Sequence, residues 1–202
     1  VIIKRCFDIL VSLIGLILFL PVMLIVAVMI WLSMGSPIFF IQKRPGYKGM
    51  PFDIVKFRTM RMSDPGKSSV EDDGERLTHL GRILRKTSID ELPEFWNVLK
   101  GDMSIVGPRP LLMDYLPRYS PEQARRHDLK PGITGWAQVN GRNAITWEER
   151  FRLDVWYVDN RSFWLDMKIL WMTLVKVFKQ EGISADKCAT MPEFKGSCDG
   201  KP

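Results

Sequence analysis

Cysteine and histidine are scarce in this chain: three of the first and two of the second in 202 residues. Cys6, Cys188 and Cys198 are odd in number and far apart, so they form neither a disulfide framework nor a metal-ligand pattern, and a reducing compartment is expected. His79 and His127 are too distant in sequence for a histidine-based metal motif, and each reads as a polar surface residue. There is no internal repeat, and no Walker, Rossmann or nucleophile-elbow signature. Formal charge is missing from one long stretch: after Asp8 the next charged residue is Lys43.

What fills that gap is apolar. Ile9 to Met34 is broken only by Ser12, Gly15, Pro21 and Ser33, and a run of this length reads as a bilayer segment rather than a buried soluble helix. No small-residue cleavage site follows it, so a signal peptide fits poorly. Pro21 divides the run by removing one backbone hydrogen bond and crowding the preceding turn. The first half, the twelve residues from Ile9 to Leu20, reaches about 18 Å, roughly to mid-bilayer. Both flanks are basic, with Lys4 and Arg5 before and Lys43, Arg44 and Lys48 after, so the positive-inside rule orients no single crossing. A re-entrant helix that bends at Pro21 and returns is the favoured form over a kinked crossing.

The remaining length suits one domain of ordinary size. With 29 Lys and Arg against 23 Asp and Glu, the net charge of +6 favours an anionic partner: nucleic acid, an acidic membrane face or a phosphorylated substrate. Ile38 to Ile41 and Phe52 to Phe57, separated by Pro45-Gly46 and Gly49, predict a β-hairpin, and Lys56 and Arg58 on its second strand share a face turned to phosphates or to lipid headgroups. Ser63 to Glu75 reads as a mobile polar loop. Leu77, Leu80, Ile83 and Leu84 recur at helical spacing, with Arg82, Arg85 and Lys86 on other faces. From Asp102 to Arg142, Gly and Pro mark ordered turns, where glycines let backbone N–H groups approach an anion and Arg109 and Arg142 offer planar forks for phosphate; turns with surface arginines are the competing account. Trp147 to Val158 and Ser162 to Gln180 form two amphipathic helices holding four of the seven tryptophans, placed either in the headgroup plane or in the core. Ile183 to Pro202 is polar, aperiodic and expected to be loosely ordered.

The stretch Arg85 to Pro110 organises the chain. Asp90 and Glu91 stand before Pro93 at the expected start of a helix running to Leu99, with Lys100-Gly101 as its exit. Carboxylates there, with Arg85, Lys86 and Arg109 nearby, suit a magnesium-phosphate site. Ser88 followed by Glu91 is also a capping box, which would make the pair structural.

Four motifs in order behind the proline-broken apolar segment resemble the bacterial sugar transferase family, more specifically the small monotopic phosphoglycosyl transferases. They are Ser88-Ile89-Asp90-Glu91-Leu92-Pro93, Gly101-Asp102-Met103-Ser104, Val106-Gly107-Pro108-Arg109-Pro110, and Pro131-Gly132-Ile133-Thr134-Gly135 continuing through Gln138-Val139-Asn140-Gly141-Arg142. The resemblance covers Lys4 to about Gly182. It implies an α-rich α+β fold: a re-entrant anchor over residues 1–36, a catalytic domain with a small β-hairpin and interfacial helices over 37–182, and a tail over 183–202.

The activity implied is transfer of a phospho-sugar from a UDP-sugar to undecaprenyl phosphate, releasing UMP, as the first membrane step of glycoconjugate assembly. Its expected setting is the cytoplasmic face of the bacterial inner membrane, with inner-membrane phospholipid and downstream glycosyltransferases as partners and no nucleic acid. Asp90 falls on the family's nucleophile, Glu91 on its Mg²⁺-holding partner, and Pro21 on its helix-breaking proline. Lys56, Arg85, Arg109, Gln138 and Arg142 are the expected substrate-binding residues. Similar proteins often carry Ser before the proline; here it is Leu20, which removes a hydroxyl able to satisfy freed backbone groups. A Mg²⁺-dependent membrane phosphohydrolase and a non-catalytic interfacial scaffold are the competing classes.

Overall fold

The computed structural model describes residues 2–62, 76–141, 145–179, 193, 194 and 196. The expected loop from Ser63 to Glu75, the candidate Arg142, and most of the tail from Ile183 onward lie outside the described residues.

Among the described residues the fold is helix-rich α+β, with one long apolar helix and two small pieces of sheet. Helix α1, Ile2–Met34, is the one described helix long and apolar enough to cross a membrane, at about 50 Å for its 33 residues. Its helical assignment continues through Pro21. Asp8, Ser12 and Gly15, then Val26 and Ile30, are its buried residues and follow the three-to-four spacing of a single packed stripe. Between those two groups the stripe is interrupted, because Ile17, Leu18, Phe19, Leu20, Pro21 and Val22 are all exposed.

Polar side chains key both ends of α1 into the domain. Lys4 donates to the Val106 carbonyl at 3.1 Å and pairs with Asp166 at 2.6 Å, while Arg5 donates to the Val98 and Leu99 carbonyls. Asp8, buried in the apolar run, accepts from the Ser104 hydroxyl and the Ile105 N–H at 3.1 and 3.0 Å, which satisfies a carboxylate that burial alone would penalise. At the other end the Arg58 guanidinium donates to the Met34 and Gly35 carbonyls, filling the role of a C-cap. Arg58 is therefore a buried helix-capping residue, not a cation turned to phosphates or headgroups; only Lys56 of that expected pair faces the acids.

Strands β1 (Phe39–Pro45) and β2 (Pro51–Phe57) form the predicted antiparallel hairpin, longer than its hydrophobic runs indicated, in register Phe39 with Phe57. Helix α2, His79–Thr87, follows, then a 3-10 turn over Ile89–Glu91 and helix α3, Glu94–Lys100. Strands β3 (Ser104–Val106) and β4 (Gly132–Thr134) pair in parallel, an element hidden in what the sequence presents as turns. Between them lie a 3-10 stretch, helix α4 (Pro121–Ala124) and a further 3-10 turn over Arg125–Asp128. Helices α5 (Trp136–Asn140), α6 (Trp147–Asn160) and α7 (Phe163–Lys179) complete the domain.

The main core joins Ile54, Val98, Met103, Ile105, Val106, Val139, Tyr157 and Ile169, so hairpin, α3, the parallel pair and the last two helices share one apolar interior. Gly107 and Gly132 are required by close backbone packing: a Cβ on Gly107 would meet the Lys130 carbonyl oxygen at 2.4 Å, and one on Gly132 the Gly107 nitrogen at 2.1 Å. These glycines thus admit another stretch of chain rather than an anion. The tryptophans divide between core and surface: Trp147 packs with Tyr115, Phe151 and Phe194, whereas Trp164 and Trp171 are 79% and 68% exposed. Phe194, from the tail expected to be loose, is buried in that aromatic cluster, and its N–H donates to the Tyr115 hydroxyl at 3.2 Å.

Candidate active site

Asp90 and Glu91 do not open the helix expected of them. Ser88 sits in the left-handed region at φ 57° and ends α2, its N–H donating to the Arg85 and Leu84 carbonyls. Its side chain caps nothing in the 3-10 turn that follows, and the Glu91 carboxylate turns to cations, so the capping box does not form. Pro93 is the N-cap of α3 and the helix begins at Glu94. Helix α3 is only seven residues long, and the cations that act on the Asp90 carboxyl are Lys56, Arg109 and Arg85.

The strand and the turn are brought together by Asn97, which is fully buried on α3. Its amide accepts from the Val55 N–H at 3.0 Å and donates to the Asp53 carbonyl at 2.7 Å, locking α3 against β2 on either side of Ile54. Lys56 is thereby aimed into three acids. Its ammonium lies 2.9 Å from Oε1 of Glu91 and 2.9 Å from Oε1 of Glu94. Arg109, from the loop after β3, forks onto Glu91, with Nη2 on Oε1 and Nη1 3.5 Å from Oε2. Arg85 donates to the Thr59 hydroxyl at 3.0 Å and contributes to the positive field at Asp90.

Charge is unevenly shared within this cluster. Burial raises the pKa of Glu91, but Arg109 and then Lys56 outweigh it and hold the carboxylate well below its usual range. Burial pushes Glu94 up to about 7, against the pull of Lys56. Burial, with the Glu91 charge adding to it, pushes Asp90 up to about 6, while Lys56, Arg109 and Arg85 oppose the rise. Among the described residues no ion pair or hydrogen bond engages the Asp90 carboxyl, so it is the uncommitted acid of the three.

Among the described residues no group of three or more Asp, Glu, His or Cys converges as a metal cage. Mg²⁺, however, is commonly held by one or two carboxylates together with substrate phosphates. The hard oxygens of Asp90 and Glu91 fit that mode, and so does a buried Glu94 Oε1 that lies close to Lys56 but lacks a well-aligned hydrogen bond.

The structure thus brings Lys56, Arg109, Asp90 and Glu91 together, with Arg85 at their edge. Gln138 is tied elsewhere, its amide nitrogen donating to the Ile133 carbonyl at 2.9 Å. Sequence reading missed Glu94, which in a helix beginning at Glu91 counts as an ordinary first-turn acid. It also missed Arg126, whose guanidinium is buried between the Tyr119 and Phe151 rings, pairs with Asp154 at 2.7 Å and donates to the Arg109 carbonyl. Nothing in the run Ala124 to Asp128 signals that burial. His127 is likewise buried, not a surface residue, and burial lowers its pKa to about 4.

A sequence profile for the family described as "Bacterial sugar transferase" matches residues 1–180. A Bacillus subtilis protein named "Uncharacterized sugar transferase EpsL" is 55% identical over 198 residues, covering 98% of both chains. A UDP-N-acetylgalactosamine-undecaprenyl-phosphate N-acetylgalactosaminephosphotransferase of Aeromonas hydrophila is 43% identical over 85% of this chain and 43% of its own. A UDP-glucose:undecaprenyl-phosphate glucose-1-phosphate transferase of Escherichia coli is 40% identical over 87% of this chain and 40% of its own. The chain therefore spans nearly all of the first relative and less than half of the other two. Over its four motifs, its apolar helix and nearly all of its length, the chain belongs to the bacterial sugar transferase family.

Proposed function

We propose that the protein is a membrane-associated phosphoglycosyl transferase that moves a phospho-sugar from a UDP-sugar to undecaprenyl phosphate through Asp90. The observation that carries this reading is the uncommitted Asp90 carboxyl beside a Glu91 that holds Lys56 and Arg109. An oxygen of ionised Asp90 attacks the donor phosphorus that bears the sugar, and the bond to the α-phosphate oxygen breaks, releasing UMP. A phosphate oxygen of the lipid acceptor then attacks the same phosphorus, forming the diphosphate and returning the free Asp90 carboxylate. Lys56, Arg85 and Arg109 offset the repulsion between carboxylate and diphosphate. Glu91, with Asp90, would hold Mg²⁺ through the donor's phosphates, and the ion supplies neutralisation of charge building on the departing UMP.

Two further observations support a site reached from one side of a bilayer. Both ends of α1 make polar contacts with the same small domain, a poor match to a straight crossing that would carry one end to the opposite face. The interrupted stripe at Ile17 to Val22, which includes Pro21, fits a helix arching away from the domain there, as a re-entrant anchor requires.

The test is incubation with a panel of UDP-sugars before lipid is added, followed by mass spectrometry. A phospho-sugar adduct on Asp90, absent in Asp90→Asn together with UMP release, is the expected result. Undiminished transfer by Asp90→Asn would remove the nucleophile assignment. UMP release with free sugar phosphate as product and no lipid requirement would favour a phosphohydrolase instead.

A further inference from the structure

A lipid acceptor that brings its phosphate to Asp90 must lay its hydrocarbon tail between the bilayer and that carboxyl. Between the C-terminal half of α1 and helix α2 runs an open cleft of about 390 Å³, lined by Met29, Leu32, Ser33, His79, Leu80 and Ile83. Its lining is overwhelmingly apolar, and Leu32 and Ile83 stand exposed at its mouth. Met29 and Leu32, on its α1 side, belong to the exposed apolar surface of that helix.

Its direction follows from the packing of the two helices. The Thr78 hydroxyl approaches Met34, Leu84 shares a buried cluster with Val26 and Ile30, and further along the chain the Phe95 ring lies against Gly15 while the Val98 and Leu99 carbonyls accept from Arg5. Moving from His79 toward Thr87 therefore runs back along α1 and leads to the turn that carries Asp90. Lys86, exposed and three positions after Ile83, lies on the same flank of α2 at the end of the cleft nearer that turn.

Resting on the transfer reading above, we propose that this cleft seats the leading isoprene units of the prenyl phosphate acceptor. Lys86 meets the phosphate on its way to Asp90. Three features commit the cleft to this occupant. Its lining matches a hydrocarbon chain, it leads to the nucleophile's turn, and the exposed cation Lys86 stands on α2 between the cleft and that turn. A resident phospholipid there would have to leave on every turnover.

The experiment uses the full chain in phosphatidylethanolamine–phosphatidylglycerol nanodiscs and a diazirine-bearing farnesyl phosphate, without donor. Labelling is expected on the peptides holding Met29 to Ser33 and His79 to Ile83, and unlabelled farnesyl phosphate should suppress it. Added phosphatidylglycerol should not. Ile83→Trp and Leu32→Trp, which fill the cleft, should raise the half-saturating acceptor concentration about tenfold. UMP release from donor alone, in a single turnover, should stay unchanged, which also reports that the variants are folded. Label landing elsewhere in a protein that turns over, or label displaced equally by phosphatidylglycerol, would overturn the cleft assignment. Specific labelling of the cleft in a preparation that never releases UMP would keep the prenyl site and remove the transfer chemistry.

Discussion

Asp90 is the residue on which the chemistry turns, and its burial sets a pH dependence with a definite sign. A carboxyl pushed up to about 6 is ionised at neutral pH and protonated below, and only the ionised form attacks phosphorus. Adduct formation should therefore fall about tenfold per pH unit below that value, measured as pre-steady-state UMP release. Lys56 is one of the cations that lower the Asp90 pKa, so Lys56→Met should move this acid limb to higher pH. Glu91 and Glu94 share Lys56 but differ in consequence. Glu91→Gln strips Arg109 of its only described carboxylate partner and should cost on the order of 100-fold in turnover. Glu94, already drawn toward neutrality at pH 7, should tolerate Gln with a loss of only a few-fold, read in the same assay. The sequence exposed the Asp90–Glu91 pair but not its state. Which acid is committed depends on Lys56, distant along the chain, and on Arg109.

The elements hold the residues in register through contacts that are small in number and buried. Arg126 and Asp154 form a fully enclosed ion pair between the 3-10 turn and α6, and Arg126 also fixes the carbonyl of Arg109. Asp154→Ala leaves that guanidinium unpaired and should destabilise the protein by about 3–5 kcal/mol, measured by denaturant unfolding in detergent. Loosened Arg109 should lower turnover in the surviving fraction. Gly81, on α2, lies so close to Thr59 that a Cβ would stand 1.9 Å from its carbonyl oxygen. Gly81→Ala must push α2 away, carrying Arg85 and the turn of Asp90 with it, and should reduce both stability and UMP release. In the sequence Gly81 looks like an interruption of an amphipathic helix. Only the neighbouring chain gives it a purpose.

At the scale of the molecule, α1 serves as both anchor and structural member. Its polar first turns are bonded to β3, α3 and α7, and its last carbonyls to Arg58. If both ends lie on one side of the bilayer, the exposed native Cys6 and a cysteine introduced by Ser33→Cys should react alike with an impermeant maleimide. In sealed inside-out vesicles both should label, and in right-side-out vesicles neither. Opposite accessibility of the two would show a crossing and end the re-entrant reading. The tail also takes part at this scale: Phe194 fills an aromatic pocket, and Phe194→Ala should cost about 3–5 kcal/mol in the same unfolding measurement.

The sequence alone determined the apolar helix, the hairpin, the amphipathic helices and the acidic pair, because each is written in local periodicity or turn chemistry. It could not determine the parallel pairing of β3 with β4, whose partners are separated by the whole insertion from Gly107 to Pro131. Nor could it tell that Ser88 would take a left-handed conformation and end α2 rather than cap α3. The burial of Phe194, Arg126 and His127 was equally out of reach. Burial and ion pairing are properties of surfaces brought together from distant parts of the chain, so tertiary packing alone decided which carboxylate was bound and which was left free.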